Sequence, residues 1–551
     1  MTTALLIAII IDFSLIARYS KSNIVEARLM LTMQIGSEYG CFDDIRIEDL
    51  NGDCVPDIIV MNSLIIGISG DGTTLLKIHP QVCTEYGFPK FFWIDDINND
   101  GGPEIITILD NDLVVTYDAL GNILWIFNAS WIPLNETLCI GCPEIVLTGD
   151  VNGDEQKEIV IRAWVINGTS RYIEYRAILI LNNDGSLYRI LLPKRKSESR
   201  WTYFQGLLLR CVVDVNNDGI DELIVDCGEV VAMNSDGEIL VRFKSPIYVN
   251  SFILCDVNND EFLDFISINF HNYVACSDGK TGKTLWIFEY KSNLYISPIA
   301  FVATDIDNDG KLEMIFAGTL EDQTRKNLLF ALNIEDGSVL WIADLGGMWS
   351  QSGIVTADLN GDNYLDVIVW NTSWIVAFDG RTGYKILLFH VKKTWHTLVA
   401  AADVDGDHSV EIVVATWNHV DIYDIPSAGF RAFWWFYSDK VAIDGVVMSN
   451  SHFDYDGDGL SDLSEIAIGT NPFAIDTDKD GLSDWYEALS GSNPLSSTFD
   501  DDCDLWPNSV DPHPGEFMIP NLWIFQLIII FIMLKIICSS NSLTVLKIDS
   551  K

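Results

Sequence analysis

The residues of this 551-residue chain whose types and spacing could do chemistry are carboxylates. One pattern, Asp-x-(Asn/Asp)-x-Asp-x3-(Asp/Glu), occurs eight times. Its side chains are Asp49, Asn51, Asp53 and Asp57; Asp96, Asn98, Asp100 and Glu104; Asp150, Asn152, Asp154 and Glu158; Asp214, Asn216, Asp218 and Glu222. The series continues with Asp256, Asn258, Asp260 and Asp264; Asp305, Asp307, Asp309 and Glu313; Asp358, Asn360, Asp362 and Asp366; Asp403, Asp405, Asp407 and Glu411. Short side chains at positions 1, 3, 5 and 9 of a tight loop point oxygens at one centre, and position 7 can add a backbone carbonyl. Hard oxygen ligands in that number suit Ca²⁺ rather than a transition metal. Position 4 is always Gly or Asn (Gly52, Asn99, Gly153, Asn217, Asn259, Asn308, Gly361, Gly406), the residues that best tolerate a left-handed backbone, so the bend is expected there. Position 6 is Gly only at Gly101, Gly219 and Gly310, which makes the loops at Asp96, Asp214 and Asp305 the strongest expected metal sites.

Two further loops carry acids at positions 1, 3, 5, 9 and 12: Asp454, Asp456, Asp458, Asp462 and Glu465, then Asp476, Asp478, Asp480, Asp484 and Glu487. Gly459 and Gly481 at position 6, with Glu at position 12, give the ligand set of an EF-hand loop. The flanking segments are too short for the helices of a calcium sensor. The pair resembles thrombospondin type-3 and related bacterial calcium repeats, and the resemblance implies a calcium-ordered stalk.

The elements that must position the eight loops follow from what lies between them. Successive copies start 42 to 64 residues apart, a period suited to one small antiparallel sheet per repeat. After each loop comes a non-alternating apolar run such as Ile58-Ile59-Val60 or Val367-Ile368-Val369, the mark of a strand buried on both faces. A second strand, a turn with Gly (Gly72, Gly121, Gly185, Gly237, Gly282, Gly337, Gly383, Gly429) and a third strand follow. Radial repetition hides the edges of such sheets best, so the expected fold is all-β: a β-propeller of eight blades, with seven blades or a β-solenoid as alternatives. A closing strand is expected from Met30 to Ile35 or from Lys440 to Met448. Residues 43–437 resemble the FG-GAP/VCBS repeats of integrin-type propellers. That resemblance implies calcium at Asp96, Asn98, Asp100 and Glu104, at Asp305, Asp307, Asp309 and Glu313, and likewise in each copy. The texts GKTGKTLWIFEY and EDGSVLWIADL also resemble quinoprotein-type repeats, which implies that Trp125, Trp286 and Trp341 dock one blade on the next.

The expected organisation is a signal peptide or N-terminal hydrophobic segment (1–20, with Leu5 to Ile11 its apolar core), a propeller (30–450), a calcium stalk (451–515), a transmembrane anchor (520–538) and a cytosolic tail (539–551). Lys535, Lys547 and Lys551 at or beyond the anchor place the tail inside and the propeller at the cell surface. Sequons at Asn128, Asn135, Asn167 and Asn371 suit an exported chain, and cysteines outside the anchor permit disulfides of open connectivity. Cys139 and Cys142 are read as a local staple or free thiols, not a redox pair.

The formal charge is −45, from 34 basic and 79 acidic residues, which excludes nucleic acid as the main partner. With 48% hydrophobic residues and a mean hydropathy of +0.20, the chain is folded and not a disordered acidic tail. Much of the acidity belongs to these ten loops, so up to about ten Ca²⁺ ions are expected. The expected function is a non-enzymatic surface receptor or adhesin for an extracellular protein or glycan. The alternative is an extracellular polysaccharide lyase or hydrolase, against which the eight His are scattered. A quinone-dependent dehydrogenase is disfavoured, for no adjacent Cys pair accompanies the Trp repeats. One basic and aromatic island, Lys194, Arg195, Lys196, Arg200, Trp201 and Tyr203, lies in the longest interval and is a candidate partner contact.

Overall fold

The computed structural model describes residues 25–433 except 26, 35–43, 53–54, 80–88, 99, 101, 110–111, 131, 136, 155, 168–172, 194–205, 259, 261, 271–272, 291–293, 308–310, 321–324, 347–352, 363, 392–396, 408, 417–418 and 429–431, together with 446–447. By its internal contacts the chain divides into two compact units, Met1–Phe453 and Asp454–Lys551. The second unit lies outside the described residues, as do the N-terminal hydrophobic segment and the expected anchor. Among the described residues no helix is long and apolar enough to cross a membrane.

The first unit is an eight-bladed β-propeller. Five of its eight sheets have four strands and three have a fifth at one edge; in each, four antiparallel strands make the blade, consecutive in the chain in every blade but the eighth. Blade 1 is Asp44–Glu48, Asp57–Met61, Ile65–Ile68 and Thr74–Ile78. Blade 2 is Pro89–Asp95, Glu104–Leu109, Leu113–Tyr117 and Ile123–Asn128, and blade 3 is Leu138–Gly149, Glu158–Asn167, Ile173–Leu181 and Leu187–Leu191. Blades 4 to 7 repeat the plan from Leu208, Ser251, Leu294 and Ile354, and blade 8 begins at Thr397–Ala402. First strands lie against one another where blades 2 and 3, 3 and 4, 6 and 7, 7 and 8, and 8 and 1 meet, on the inner side of the ring. The apolar runs after the loops are the second strands; Asp57–Met61, Glu104–Leu109 and Glu411–Thr416 are buried along their whole length, as their lack of alternation requires. Fourth strands alternate, as in the exposed and buried residues of Thr284–Glu289, because only one of their faces meets the next blade.

The ring closes on the N-terminal side. Arg28–Gln34 is the fourth strand of blade 8, paired antiparallel with His419–Asp424. Of the two expected closing segments this is the one that does so. Within the other, Val446–Val447 pairs in parallel with Ser251–Cys255, the first strand of blade 5. Ala432–Phe433 pairs with the first strand of blade 7.

Blade-to-blade packing follows one rule. A side chain from the fourth strand, or just past its end, covers the turn glycine of the next blade. Leu76 covers Gly121, Trp125 covers Gly185, Leu191 covers Gly237, Lys244 covers Gly282, Trp286 covers Gly337, Trp341 covers Gly383, and Leu31 of the closing strand covers Gly72. The tryptophans add a hydrogen bond each: Trp125 Nε1 donates to Asn183 O at 2.8 Å, Trp286 Nε1 to Ile334 O at 2.7 Å and Trp341 Nε1 to Gly380 O at 2.5 Å. Among the described residues Cys139, Cys142, Cys211, Cys227, Cys255 and Cys276 are not joined in disulfides.

Candidate metal centres

Each acidic loop joins the first strand of its blade to the second, so all eight lie on one face of the ring. The position-9 residue is always the first residue of the second strand: Asp57, Glu104, Glu158, Glu222, Asp264, Glu313, Asp366 and Glu411. All eight are buried. One oxygen of each accepts the backbone N–H of position 2, from Leu50, Ile97, Val151, Val215, Val257, Ile306, Leu359 and Val404, at 3.0 to 3.2 Å. This bond ties the loop's end to its beginning and sets the ring size.

Position 1 organises the bend. Asp150 Oδ1 accepts N–H groups of Asn152, Gly153 and Asp154 at 3.3, 2.6 and 3.2 Å, and Asp358 Oδ1 accepts those of Asn360, Gly361 and Asp362 at 3.2, 2.7 and 3.2 Å. Wrapping three amides around one carboxylate needs a left-handed residue at position 4. Gly52, Gly153, Asn217, Gly361 and Gly406 have φ of 74°, 78°, 58°, 72° and 73°, as expected from their type. Position 5 accepts the N–H of position 7, as in Asp100 with Gly102 at 3.0 Å and Asp218 with Ile220 at 3.0 Å.

Position 3 separates the loops into two kinds. Where it is Asn, its Nδ2 donates to the position-9 carboxylate: Asn51 to Asp57 at 3.2 Å, Asn98 to Glu104 at 3.0 Å, Asn152 to Glu158 at 2.6 Å and Asn216 to Glu222 at 3.3 Å. Asn258 reaches Asp264 at 3.5 Å and Asn360 reaches Asp366 at 3.2 Å. Where it is Asp, no such donor exists and carboxylates face each other. One oxygen from each of Asp305, Asp307 and Glu313 lies within 4.8 Å of the others, and the same holds for Asp403, Asp405 and Glu411. Of the loops with Gly at position 6, those at Asp96 and Asp214 therefore hold an internal amide–carboxylate bond, and the loop at Asp403, with His408 there, gathers three acids. Position 3 decides the grouping of acids because its side chain lies against the position-9 carboxylate, as a donor when it is Asn and as a further acid when it is Asp.

Electrostatics fit a cation. Burial, with the loop's own acids beside it, pushes Glu104, Glu158, Glu222 and Asp264 up to about 7 and Glu411 up to about 9, and raises Asp366 well above the carboxylate range. A divalent ion at the loop centre would hold these groups ionised, and an Asn amide turned over presents Oδ1 as a further hard ligand. Asp53, Asp309 and every acid of the two C-terminal loops, Asp454 to Glu465 and Asp476 to Glu487, lie outside the described residues, as does the island from Lys194 to Tyr203.

One group of charges escaped the reading of the sequence. Arg162, Arg176 and Arg210 come together with Glu144 and Asp226 where blade 3 meets blade 4. They have no common spacing, because different strands deliver them; the only signal available was their rarity in an acidic chain.

Comparison with known proteins gives two family matches. Residues 305–369, the loops of blades 6 and 7 with the strands between, match the family described as FG-GAP-like repeat. Residues 454–474 and 476–497 match the bacterial TSP3 repeat. The chain therefore carries both repeat types that its loops resemble. Among solved structures, the rhamnogalacturonan lyase YesW is 15% identical, with 73% of this chain and 76% of that one covered and a TM-score of 0.43. The V. cholerae biofilm matrix protein Bap1 is 14% identical, with 77% and 96% covered and a TM-score of 0.34. BamB from Moraxella catarrhalis is 12% identical, with 73% and 100% covered and a TM-score of 0.39. At these identities none bears on activity. No curated protein matches.

Proposed function

We propose that this chain is a calcium-binding surface receptor or adhesin, with a propeller head, a calcium-ordered stalk over residues 451–515 and a membrane anchor over 520–538. The observation that carries the calcium reading is the recurrence, in all eight blades, of a buried position-9 carboxylate bonded to its own loop's position-2 amide. Burying a carboxylate at eight equivalent places is costly unless something positive shares the site. The bacterial TSP3 matches support calcium in the second unit as well. A head on a stiffened stalk suits contact with an extracellular protein or glycan.

Calcium titration of the full chain by calorimetry, followed by binding to arrays of glycans and extracellular proteins with calcium or with chelator, tests this reading. Several equivalents of calcium and a chelator-sensitive ligand are expected. A chain that takes up no calcium overturns it. If acidic polysaccharide incubated with the protein instead gains ultraviolet absorbance from unsaturated ends, the enzyme alternative holds.

A further inference from the structure

The arginine group between blades 3 and 4 is independent of the calcium loops. Glu144 sits on the first strand of blade 3, where the register with the second strand shifts on both sides of Pro143. Its Oε2 accepts Arg162 Nε at 2.9 Å and Arg176 Nε at 3.0 Å, and its Oε1 accepts Trp164 Nε1 at 2.5 Å. The Arg176 guanidinium lies 3.8 Å from the Trp164 ring centroid, which fixes its plane. Arg162 Nη1 donates to Leu209 O of blade 4 at 3.1 Å. Beside them Arg210 is paired with Asp226 at 3.4 Å.

Three guanidinium groups thus face two carboxylates, and both oxygens of Glu144 are engaged. Arg162 Nη2 and both terminal nitrogens of Arg176 donate to nothing among the described residues. These side chains are 13% and 19% exposed, enough to meet a small ligand but too little for full hydration. Burial and the neighbouring arginines, set against the attraction of Glu144, bring Arg162 down to about 10.

We propose that the blade 3–blade 4 junction binds one oxyanion, a carboxylate or a sulfate monoester, between Arg162 and Arg176. Fixed guanidinium edges with open N–H groups match the paired oxygens of such an anion better than a lysine would. The rest of the molecule narrows the carrier. A chain of net charge −45 repels a densely charged polymer, so the anion is carried singly on an otherwise neutral molecule such as a sugar.

The test is calorimetry on the full chain in calcium at low ionic strength, with glucuronate and glucose 6-sulfate as probes and glucose as the neutral control. One equivalent of either anion is expected to bind, and glucose is not. The tighter of the two identifies the source as uronate or sulfate ester. Arg176→Gln should weaken binding at least about tenfold and Arg176→Lys less, because lysine is a point donor. Arg189→Gln, on the outer strand of the same blade, should leave it unchanged. If Arg176→Gln does not fold, the wild-type titration and Arg176→Lys decide. Absence of binding to the wild type, or equal weakening by the Arg176 and Arg189 variants, overturns the proposal.

Discussion

Gly383 lies so close to the indole of Trp341 that a β-carbon on the glycine would fall 2.7 Å from Trp341 Cε3. The glycine belongs to the turn of blade 7 and the tryptophan to the outer strand of blade 6. Gly383 also has φ of 67°. Gly383→Ala therefore meets two penalties, a left-handed backbone and overlap with a ring held by its own hydrogen bond. It should cost about 2–4 kcal/mol in chemical denaturation. At Gly121 the added carbon meets the movable end of Leu76, at 2.8 Å from Cδ1, and Gly121→Ala should cost about 1 kcal/mol. Equal losses at the two positions would show that the indole contact adds nothing.

If the loops take up calcium as proposed, position 3 should set the order in which they fill. Asp307→Asn gives its loop the amide–carboxylate bond that Asn152 makes with Glu158, and removes one anionic ligand. It should lower calcium affinity at that loop about tenfold, with Asn152→Asp acting in the opposite sense. Stepwise calcium titration of each variant checks both directions, and unchanged isotherms would count against the assignment.

The buried position-9 acids make metal-free stability fall with rising pH. Glu104, Glu158, Glu222 and Asp264 titrate near 7 in the folded chain and Glu411 near 9, against about 4 in the unfolded chain. Between those values the folded state holds more protons, so stability is highest below the unfolded value and is lost as pH rises through the folded ones. Calcium at these loops would require the ionised form, so the stabilisation it gives should grow over the same window. Melting temperature in chelator should drop from pH 5 to pH 8, and the gap between calcium and chelator should widen. A chelator curve that climbs with pH would contradict the burial of these groups.

What the sequence made legible was local. Positions 1 to 9 of a loop and the strand that follows lie within one turn of chain, so residue types report the geometry directly: Gly52, Asn217 and Gly406 sit left-handed where their types predicted. Partner choice at a distance was not legible. The apolar text around Met30 and that around Val446 suit a strand equally, and only the ring decides that the first pairs with His419–Asp424 while the second adds to blade 5. The Arg162–Glu144–Arg176 group was invisible for the same reason, since three strands must be laid side by side before its charges meet.

Ring closure yields the last prediction. Arg28–Gln34 supplies the outer strand of blade 8, and Leu31 Cδ2 covers Gly72 of blade 1 at 2.9 Å from where a β-carbon would lie. Removing residues 1–43 exposes His419–Asp424 as an unpaired edge and takes away the only described contact of this type between blades 8 and 1. An open edge recruits other chains, so the shortened protein should lose roughly 10 °C in melting temperature and self-associate at micromolar concentration. A synthetic peptide of residues 25–36 should restore much of the loss by strand addition. In that peptide Leu31→Ser with Met33→Ser keeps the backbone pairing but removes both side chains that cover Gly72, so it should rescue only in part. Full rescue by the Ser peptide would assign closure to the backbone ladder alone.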